Sequence, residues 1–286
     1  MYLSAERLAL ANQTVRETFE QCSVAWQAIP NWNTGDPAQS QVRSDDVSGY
    51  LVPPPPPPAG GYPPATPNPG PLGSGALPVA PLSQQLYVTL AQAIAPRPDA
   101  LLAAVIARTS LLARRVDDVI VTALFNAAMP VPTNIAANES VGNILTALIN
   151  ARVLEENLGY RAPSCILTST LGLQRLSQFA SGYSVLQGLL DAANINSLYR
   201  IEKPANPKPG DLDPEKKMIL LGRRQRIPHG GAPSASPGEE PVDLAVVVPP
   251  SLEVVGETST GNIELAVRVS LVPRVKDKFG IVGVLF

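Results

Sequence analysis

The longest uninterrupted periodic stretch of this sequence is Asp99–Asn126, and it restricts the possible folds more than any other segment. Its apolar residues recur at steps of three, four and seven, which places them on one helix face. They are Leu101, Leu102, Val105, Leu112, Val116, Val119, Ile120, Ala123 and Leu124. Asp99 follows Pro98 and is predicted to cap the helix by accepting from free backbone N–H groups. At ~1.5 Å per residue this spine helix would be roughly 40 Å long.

A helix of this length needs long partners, because ~11–12 residues is usual in a compact domain. Its charged residues are predicted to lie on the rim or the opposite face, at Arg108, Arg114, Arg115, Asp117 and Asp118. The chain has 286 residues, of which 45% are hydrophobic and only 16% charged. That suffices for one large domain or two small ones. So few charges allow more than one kind of buried surface, and one of these could be a subunit interface.

The net charge of −2 argues against non-specific binding to nucleic acid or to a membrane surface. Cys22 and Cys165 form no Cys-x-x-Cys pair and are predicted to be lone thiols in a reducing compartment. No charged segment followed by an apolar one opens the chain, so a signal peptide is not expected. The longest apolar runs are too short, or too interrupted by arginine, to span a membrane.

The first segment, Ser4–Ile29, is predicted to be an amphipathic helix with Ser4 as its N-cap. Pro30 and the polar residues after it end the helix. Its apolar stripe comprises Leu8, Ala11, Val15, Thr18, Phe19, Cys22 and Trp26. This pattern fits a terminal helix docked on the domain, and it also fits a recognition or interface helix.

A proline-rich stretch follows a polar, loop-like segment at Asp36–Gly49. Leu51–Pro81 contains the run Pro53–Pro58, and proline both fixes φ and removes a backbone donor. The stretch is therefore predicted to be an extended polyproline II spacer that cannot form a regular ladder. A ligand for an SH3-type domain is the alternative, although no basic residue flanks the hexaproline.

The rest of the chain indicates an α+β fold, with helices in the middle and strands in the last third. Leu82–Ala95 fits helix and strand templates equally well, whereas Ser140–Leu158 is predicted to be a helix stopped by Gly159. Two short helices are predicted at Leu171–Phe179 and Val185–Ala193. Strands are predicted at Ser164–Thr168, Tyr199–Lys203, Met218–Leu221, Leu244–Val248, Leu252–Thr258, Asn262–Val272 and Ile281–Phe286.

Catalytic and metal-binding patterns are missing from the sequence. The single histidine, His229, lies in a Gly-rich segment with no Gly-x-Ser-x-Gly elbow and no second histidine for a zinc site. Four acidic pairs are adjacent in sequence, so the two members of each do not face each other on a helix. They are interpreted as solvated charges: Asp45-Asp46, Asp117-Asp118, Glu155-Glu156 and Glu239-Glu240. We therefore expect no enzyme activity, no cofactor and no metal.

Basic residues cluster at Arg223–Arg226 and at Arg274–Lys278. No aromatic residues are interleaved as in an RNA-binding sheet. We interpret these clusters as residues that form salt bridges and keep the protein in solution. The alternative is that they contact encapsidated nucleic acid.

Four segments, taken in order, resemble encapsulins, the linocin-type bacterial shell proteins that share the tailed-phage major-capsid fold. Asn12–Phe19, NQTVRETF, is similar to the family's Asn-x-x-(Ala/Val)-Arg-Glu-x-Phe pattern in the opening helix. Asp117–Phe125 is close to the family's Glu-Asp-Glu-Val-Ile-Phe ending of the spine helix. Tyr160–Phe179 is similar to Gly-Pro-Tyr-x-Leu-Val-Ile followed by a short Leu-rich helix. Val267–Phe286 ends in an apolar run, as family members do.

The resemblance implies a capsid-like division of the chain. Residues 1–35 would be the N-terminal helix and arm, and 36–81 the extended-loop region, which is a β-hairpin in the family. Residues 82–158 and 222–286 would be the peripheral domain with the spine helix, and 159–221 the axial domain that meets its copies at the five-fold axis.

The resemblance also implies a function. Many copies of this chain would form an icosahedral shell in the cytoplasm, and the shell would enclose a cargo enzyme that is held by a targeting peptide. The opening helix would bind that peptide through Leu8, Val15 and Phe19. A pore loop at Ala205–Lys217 would set the passage of small ions, with Lys208, Gly210, Asp211 and Asp213 as its candidate residues. The alternatives are a phage or prophage major capsid protein that packages DNA, in a virion, and an enzyme with an unrecognised site.

Overall fold

The computed structural model describes residues 3–46, 73–130, 140–180, 182–201, 217–223 and 240–285. Its helices are α1 Ala5–Cys22, α2 Val24–Ala28, α3 Leu90–Ile94, α4 Asp99–Ala127, α5 Val141–Asn157, α6 Thr170–Leu176 and α7 Leu186–Ala192. Its strands are β1 Asn31–Asn33, β2 Gln41–Asp46, β3 Gly73–Pro78, β4 Ala80–Thr89, β5 Met129–Pro130, β6 Ala162–Thr168, β7 Phe179–Ala180, β8 Tyr183–Ser184, β9 Ile195–Arg200, β10 Lys217–Arg223, β11 Val242–Glu257, β12 Asn262–Val275 and β13 Ile281–Leu285. The predicted α+β class is confirmed.

The spine helix exists as α4, 29 residues long and about 43 Å at ~1.5 Å per residue. Its cap differs from the prediction, because Pro98 holds the N-cap position without a side-chain bond and Asp99 is the first helical residue. There the carboxylate still favours the positive end of the helix dipole. The buried stripe is Leu101, Val105, Thr109, Leu112, Ala113, Val116, Ile120, Val121 and Leu124. Val119, predicted to be buried, is 37% exposed.

A four-stranded sheet, in the order β1-β11-β12-β4, packs against α1 and α4. The predicted hairpin at its centre is confirmed, with Gly261 in the turn at a φ of 77°. Two predicted strands, Leu244–Val248 and Leu252–Thr258, are one continuous strand of 16 residues. β11 continues past Pro249 and Pro250 because the register with β12 shifts there, between Val248 and Ser251.

The proline-rich region contains a ladder that the sequence did not predict. β2 pairs antiparallel with β3 from Gln41↔Pro78 to Asp46↔Gly73, so Leu51–Pro81 is not wholly a spacer and Asp36–Gly49 is not wholly a loop. The described ladder joins residues 41–46 to residues 73–78, and residues 47–72 lie outside the described residues. Val42 of the ladder is buried against the outer face of the four-stranded sheet, in a small cluster with Ala245, Val247 and Val272.

A second sheet has five strands in the order β5-β13-β10-β6-β9. One face, with Ile166, Met218, Leu220, Val282 and Val284, packs in a core cluster with α5, α6 and α7. The other face, with Leu167, Ile219, Leu221 and Ile281, joins the core built around α4 and the first sheet. The sheet is therefore buried on both faces, which explains why its strands are continuous apolar runs.

The predicted division into domains stays a prediction, and the second sheet includes elements from outside 159–221. Helix α5 and strand β13 were assigned to the peripheral domain, within 82–158 and 222–286. In the structure they form one layer with the strands and helices of 159–221. β13 inserts between β5 and β10, a long-range pairing that no local pattern encodes.

Candidate assembly and cargo surfaces

Helix α1, the predicted cargo-binding helix, is fixed on α4 by its apolar face. Ala11, Val15 and Phe19 are fully buried there, and Phe19 meets Trp26 edge to face with ring centroids 5.3 Å apart. Leu8 is half-buried against the same core. Val15 and Phe19 are therefore enclosed within the subunit, and a peptide on its surface would not touch them.

The other face of α1 is open. It carries Glu6, Ala9, Leu10, Gln13, Glu17 and Glu20, and Leu10 is 42% exposed. Leu10 lies outside the apolar stripe from which the sequence candidates were taken. An extended peptide could contact this face without displacing the core.

Polar contacts hold α1 against two neighbouring elements, β11 and α3. The side-chain oxygen of Asn12 accepts from the Leu252 backbone N–H at 2.8 Å, which ties α1 to β11. The guanidinium of Arg7 donates to the backbone carbonyls of Ala93, Ile94 and Ala95 at the end of α3. These carbonyls have no partner within the helix, so Arg7 completes their hydrogen bonding.

The continuous helix predicted at Ser4–Ile29 is broken at Ser23, and Asp117 is the cause. Its carboxylate accepts from the Ser23 hydroxyl at 2.6 Å and from the backbone N–H groups of Val24 and Ala25 at 3.0 Å. Burial raises the pKa of Asp117, although these hydrogen bonds oppose the rise. Asp117 is therefore not the solvated charge that was predicted, since it locks the α1–α2 corner onto α4.

Part of the basic cluster near the C-terminus is occupied in ion pairs. Arg274 donates to both carboxylate oxygens of Asp243 at 2.7 Å, and the Lys276 ammonium lies 3.0 Å from the same group. Burial alone would raise the pKa of Asp243, but Arg274 and Lys276 outweigh it and hold the pKa below its ordinary value. Arg274 also stacks on Trp32 at 4.6 Å and donates to the Arg43 carbonyl. These contacts support the salt-bridge interpretation of this cluster. The bond to the Arg43 carbonyl also ties β12 to strand β2.

A second acidic pair, Glu155-Glu156, is also not simply solvated. Glu155 is fully buried and accepts from the Ser164 hydroxyl at 2.9 Å, with Arg152 at 3.5 Å. Burial raises the pKa of Glu155 to about 8, against the Ser164 hydrogen bond and the Arg152 charge. Glu156 remains partly exposed and pairs with Arg152 at 3.0 Å. The cluster joins α5 to β6 inside the subunit, where a substrate cannot reach it.

A small cavity of about 100 Å³ lies between α2 and the second sheet, lined in part by Gln27, Cys165, Tyr199, Arg223 and Glu240. Its volume is below the ~300 Å³ typical of ligand pockets. Burial raises the pKa of the Cys165 thiol to about 12, so the thiol is protonated and unreactive at neutral pH. Within the described ranges no group of His, Cys, Asp or Glu could hold a metal ion.

Several other predictions concern residues that the structure does not describe. The pore-loop candidates Lys208, Gly210, Asp211 and Asp213, with His229, lie outside the described residues. No described helix is both long and apolar enough to cross a membrane. Cys22 and Cys165 are both free thiols, as predicted.

Comparison with known proteins finds no matching family model and no curated protein similar in sequence. Among solved structures, a virus-like particle from Pyrococcus furiosus matches 98% of this chain and 100% of its own, with a TM-score of 0.67 and 12% identity. A phage-related protein from Bordetella bronchiseptica RB50 matches 97% and 96%, with a TM-score of 0.59 and 8% identity. The capsid of Myoviridae phage XM1 matches 90% and 89%, with a TM-score of 0.53 and 13% identity.

Two of these neighbours are described as a virus-like particle and a phage capsid, and the three match between 90% and 98% of this chain. The protein has the tailed-phage major-capsid fold, as the resemblance implied. At 8–13% identity the likeness establishes the fold and not the contents or role of an assembly.

Proposed function

We propose that this protein is the self-assembling subunit of a closed icosahedral shell. The observation that supports this most strongly is the full-length match, 98% of this chain against 100% of a subunit described as a virus-like particle. A protein that uses this fold for another role could carry large insertions or lack some elements. Neither is found in that match. In this proposal the layer around 159–221 meets its copies at a symmetry axis.

The described surface supports the proposal, because it exposes many large apolar side chains. Each is between 37% and 79% exposed, and they are Leu10, Trp32, Tyr87, Leu90, Ile94, Ile106, Leu111, Val119, Ile149, Val153, Tyr183 and Val255. They are spread over several elements, and none is needed for the core of the subunit. Single exposed apolar residues are normal on monomeric proteins, so the relevant group is Tyr87, Leu90 and Ile94, which lie close together in sequence on β4 and α3 and suit a contact with another copy.

Within that role we infer that the shell encloses a cargo protein, as in encapsulins. The resemblance of Asn12–Phe19 to the family's opening helix supports this inference. The targeting peptide would lie on the outer face of α1 around Leu10. Val15, Phe19 and Leu8 would act indirectly, by holding α1 in place. The loop with Lys208, Gly210, Asp211 and Asp213 remains our candidate for the pore.

Cargo binding can be tested separately from assembly. Leu10→Asn should reduce the cargo that co-purifies with the particles, while the particles form normally. Val255→Asn removes a comparably exposed apolar residue from β11 and is the matched control. Unchanged cargo in Leu10→Asn particles would show that the outer face of α1 is not the binding surface.

A capsid protein that packages DNA is the second candidate, favoured by the likeness to the phage XM1 capsid. Electron microscopy of the native purified protein, with nuclease digestion and mass spectrometry of the particle contents, separates the candidates. Nuclease-protected DNA inside the particles would favour the phage capsid, whereas a single abundant protein and no DNA would favour the cargo shell. Purified protein without particles would refute both.

A further inference from the structure

The long outer edge of the first sheet is uncharged and, among the described residues, unpaired. Strand β4 is hydrogen-bonded to β12 over ten residue pairs, from Thr89 to Ala80, without a register shift. Within the described part of the chain no strand pairs with its other side. An open edge presents unpaired backbone N–H and C=O groups to any strand that approaches.

Monomeric proteins protect such an edge with charged residues, prolines, bulges or short length. The opposite edge of the same sheet follows this rule, since β1 has only three residues and Arg274 covers its Trp32. β4 does not follow it. No Asp, Glu, Lys, Arg or His occurs between Asp46 and Arg97, and the only proline in β4 is Pro81 near its start.

Exposed apolar side chains continue from this edge. The outer face of β4 carries Ser83, Gln85 and Tyr87, and Tyr87 is 52% exposed. The chain then enters α3, where Leu90 is 52% and Ile94 is 62% exposed. Helix α3 is held firmly by the Thr89–Gln92 capping box and by Arg7. The exposed side chains of Leu90 and Ile94 are therefore held in place on α3 before any partner binds.

We propose that β4 pairs antiparallel with β4 of a second copy of this chain about a two-fold axis. In such a contact each residue near the axis faces itself or a close neighbour of the same strand. A charge on the axis would face the like charge of the second copy, and the uncharged β4 avoids that repulsion. Gln84 and Gln85, at the middle of the strand, suit this contact because each amide both donates and accepts. The inference rests on the proposed shell, for which it names one subunit contact.

Complementary charges at Gln85 test the self-pairing. Gln85→Lys and Gln85→Glu should each leave the subunit folded, because the Gln85 side chain is exposed. Each should lower the fraction of protein in particles at least about tenfold, since every copy repeats the contact. Ser259→Lys adds the same charge at the exposed turn of the same sheet and should assemble normally. An equimolar mixture of Gln85→Lys and Gln85→Glu subunits should regain assembly, because unlike charges then face each other.

Each outcome has a distinct meaning when all samples are followed by mass photometry and circular dichroism. Restored assembly in the mixture supports β4 self-pairing. If both single variants assemble as the wild type does, the inference is wrong while the shell proposal stands. If both fail and the mixture fails too, another segment covers β4 and self-pairing is overturned. If the wild type forms no particles, the shell proposal fails and this inference fails with it.

Discussion

Gly280→Ala should destabilise this protein through one buried ring. The Tyr160 side chain is 1% exposed and its hydroxyl donates to the carboxylate of Asp277, which is also 1% exposed. Gly280 lies against the ring. A Cβ on Gly280 would be 2.6 Å from Tyr160 Cζ, 2.7 Å from Tyr160 Cε1 and 2.7 Å from the Pro241 Cβ.

The size of the effect follows from what can move. Ordinary carbon contacts are ~3.5–4.0 Å, so the ring or the backbone must shift by about 1 Å. The ring has little room to move, because Asp277 holds its hydroxyl and the backbone of Gly222 lies close to Tyr160 on another side, where even an added Cβ would be 2.8 Å from the Tyr160 Cβ. Overpacking of this kind costs ~1–3 kcal/mol, which is a loss of roughly 2–12 °C in Tm for a large domain.

Gly188→Ala is the matched control, since a Cβ there meets no atom within 4 Å and the residue lies inside α7. It should stabilise the protein by ~0.5–1 kcal/mol. The measurement is thermal unfolding of both variants and the wild type in the same assembly state. Gly280→Ala should lose less in a Tyr160→Leu background, because the ring that it meets is gone. Equal Tm values for Gly280→Ala and Gly188→Ala would show that the packing around Tyr160 has been misread.

Two further predictions concern buried positions. Val116→Asp places an unpaired charge at a fully buried position of α4 and should prevent folding and particle formation. Val119→Asp, on the exposed side of the same helix, should leave the circular dichroism spectrum unchanged. A native spectrum for Val116→Asp would contradict the assigned face. Burial raises the pKa of Glu155 from 4.5 to about 8. Between these pH values the folded state therefore binds more protons than the unfolded state. The free energy of unfolding should fall as pH rises from about 5 to about 8, and then level off. Glu155→Gln should flatten this dependence and Glu156→Gln should not, and denaturation midpoints across that pH range measure both; an unchanged slope in Glu155→Gln would refute the assignment.

Local patterns in the sequence predicted the regular elements well. The period of Asp99–Asn126 gave the spine helix to within one residue of its observed end, because an uninterrupted helical pattern has no competing structure. Ser140 and Gly159 correctly bounded α5, since a side-chain cap and a positive φ of 90° are local requirements. The equal fit of Leu82–Ala95 to helix and strand was also informative, because the segment is a strand followed by a helix.

Tertiary contacts account for what the sequence did not predict. The break at Ser23 depends on a carboxylate more than ninety positions away, and the insertion of β13 depends on pairing between distant strands. The β2–β3 ladder was missed because β2 precedes the proline-rich stretch and β3, which ends at Pro78, lies within it. For the candidate cargo surface, periodicity identified the apolar face of α1, which the core uses. Leu10 on the other face was not selected, since an isolated apolar residue gives no periodic signal.

The central claim is that this chain closes into a shell, and the mass of the purified native protein tests it most directly. Mass photometry together with negative-stain electron microscopy should show uniform, closed, megadalton particles with icosahedral outlines. Monomers or small oligomers alone, at concentrations where the protein is folded by circular dichroism, would contradict the claim.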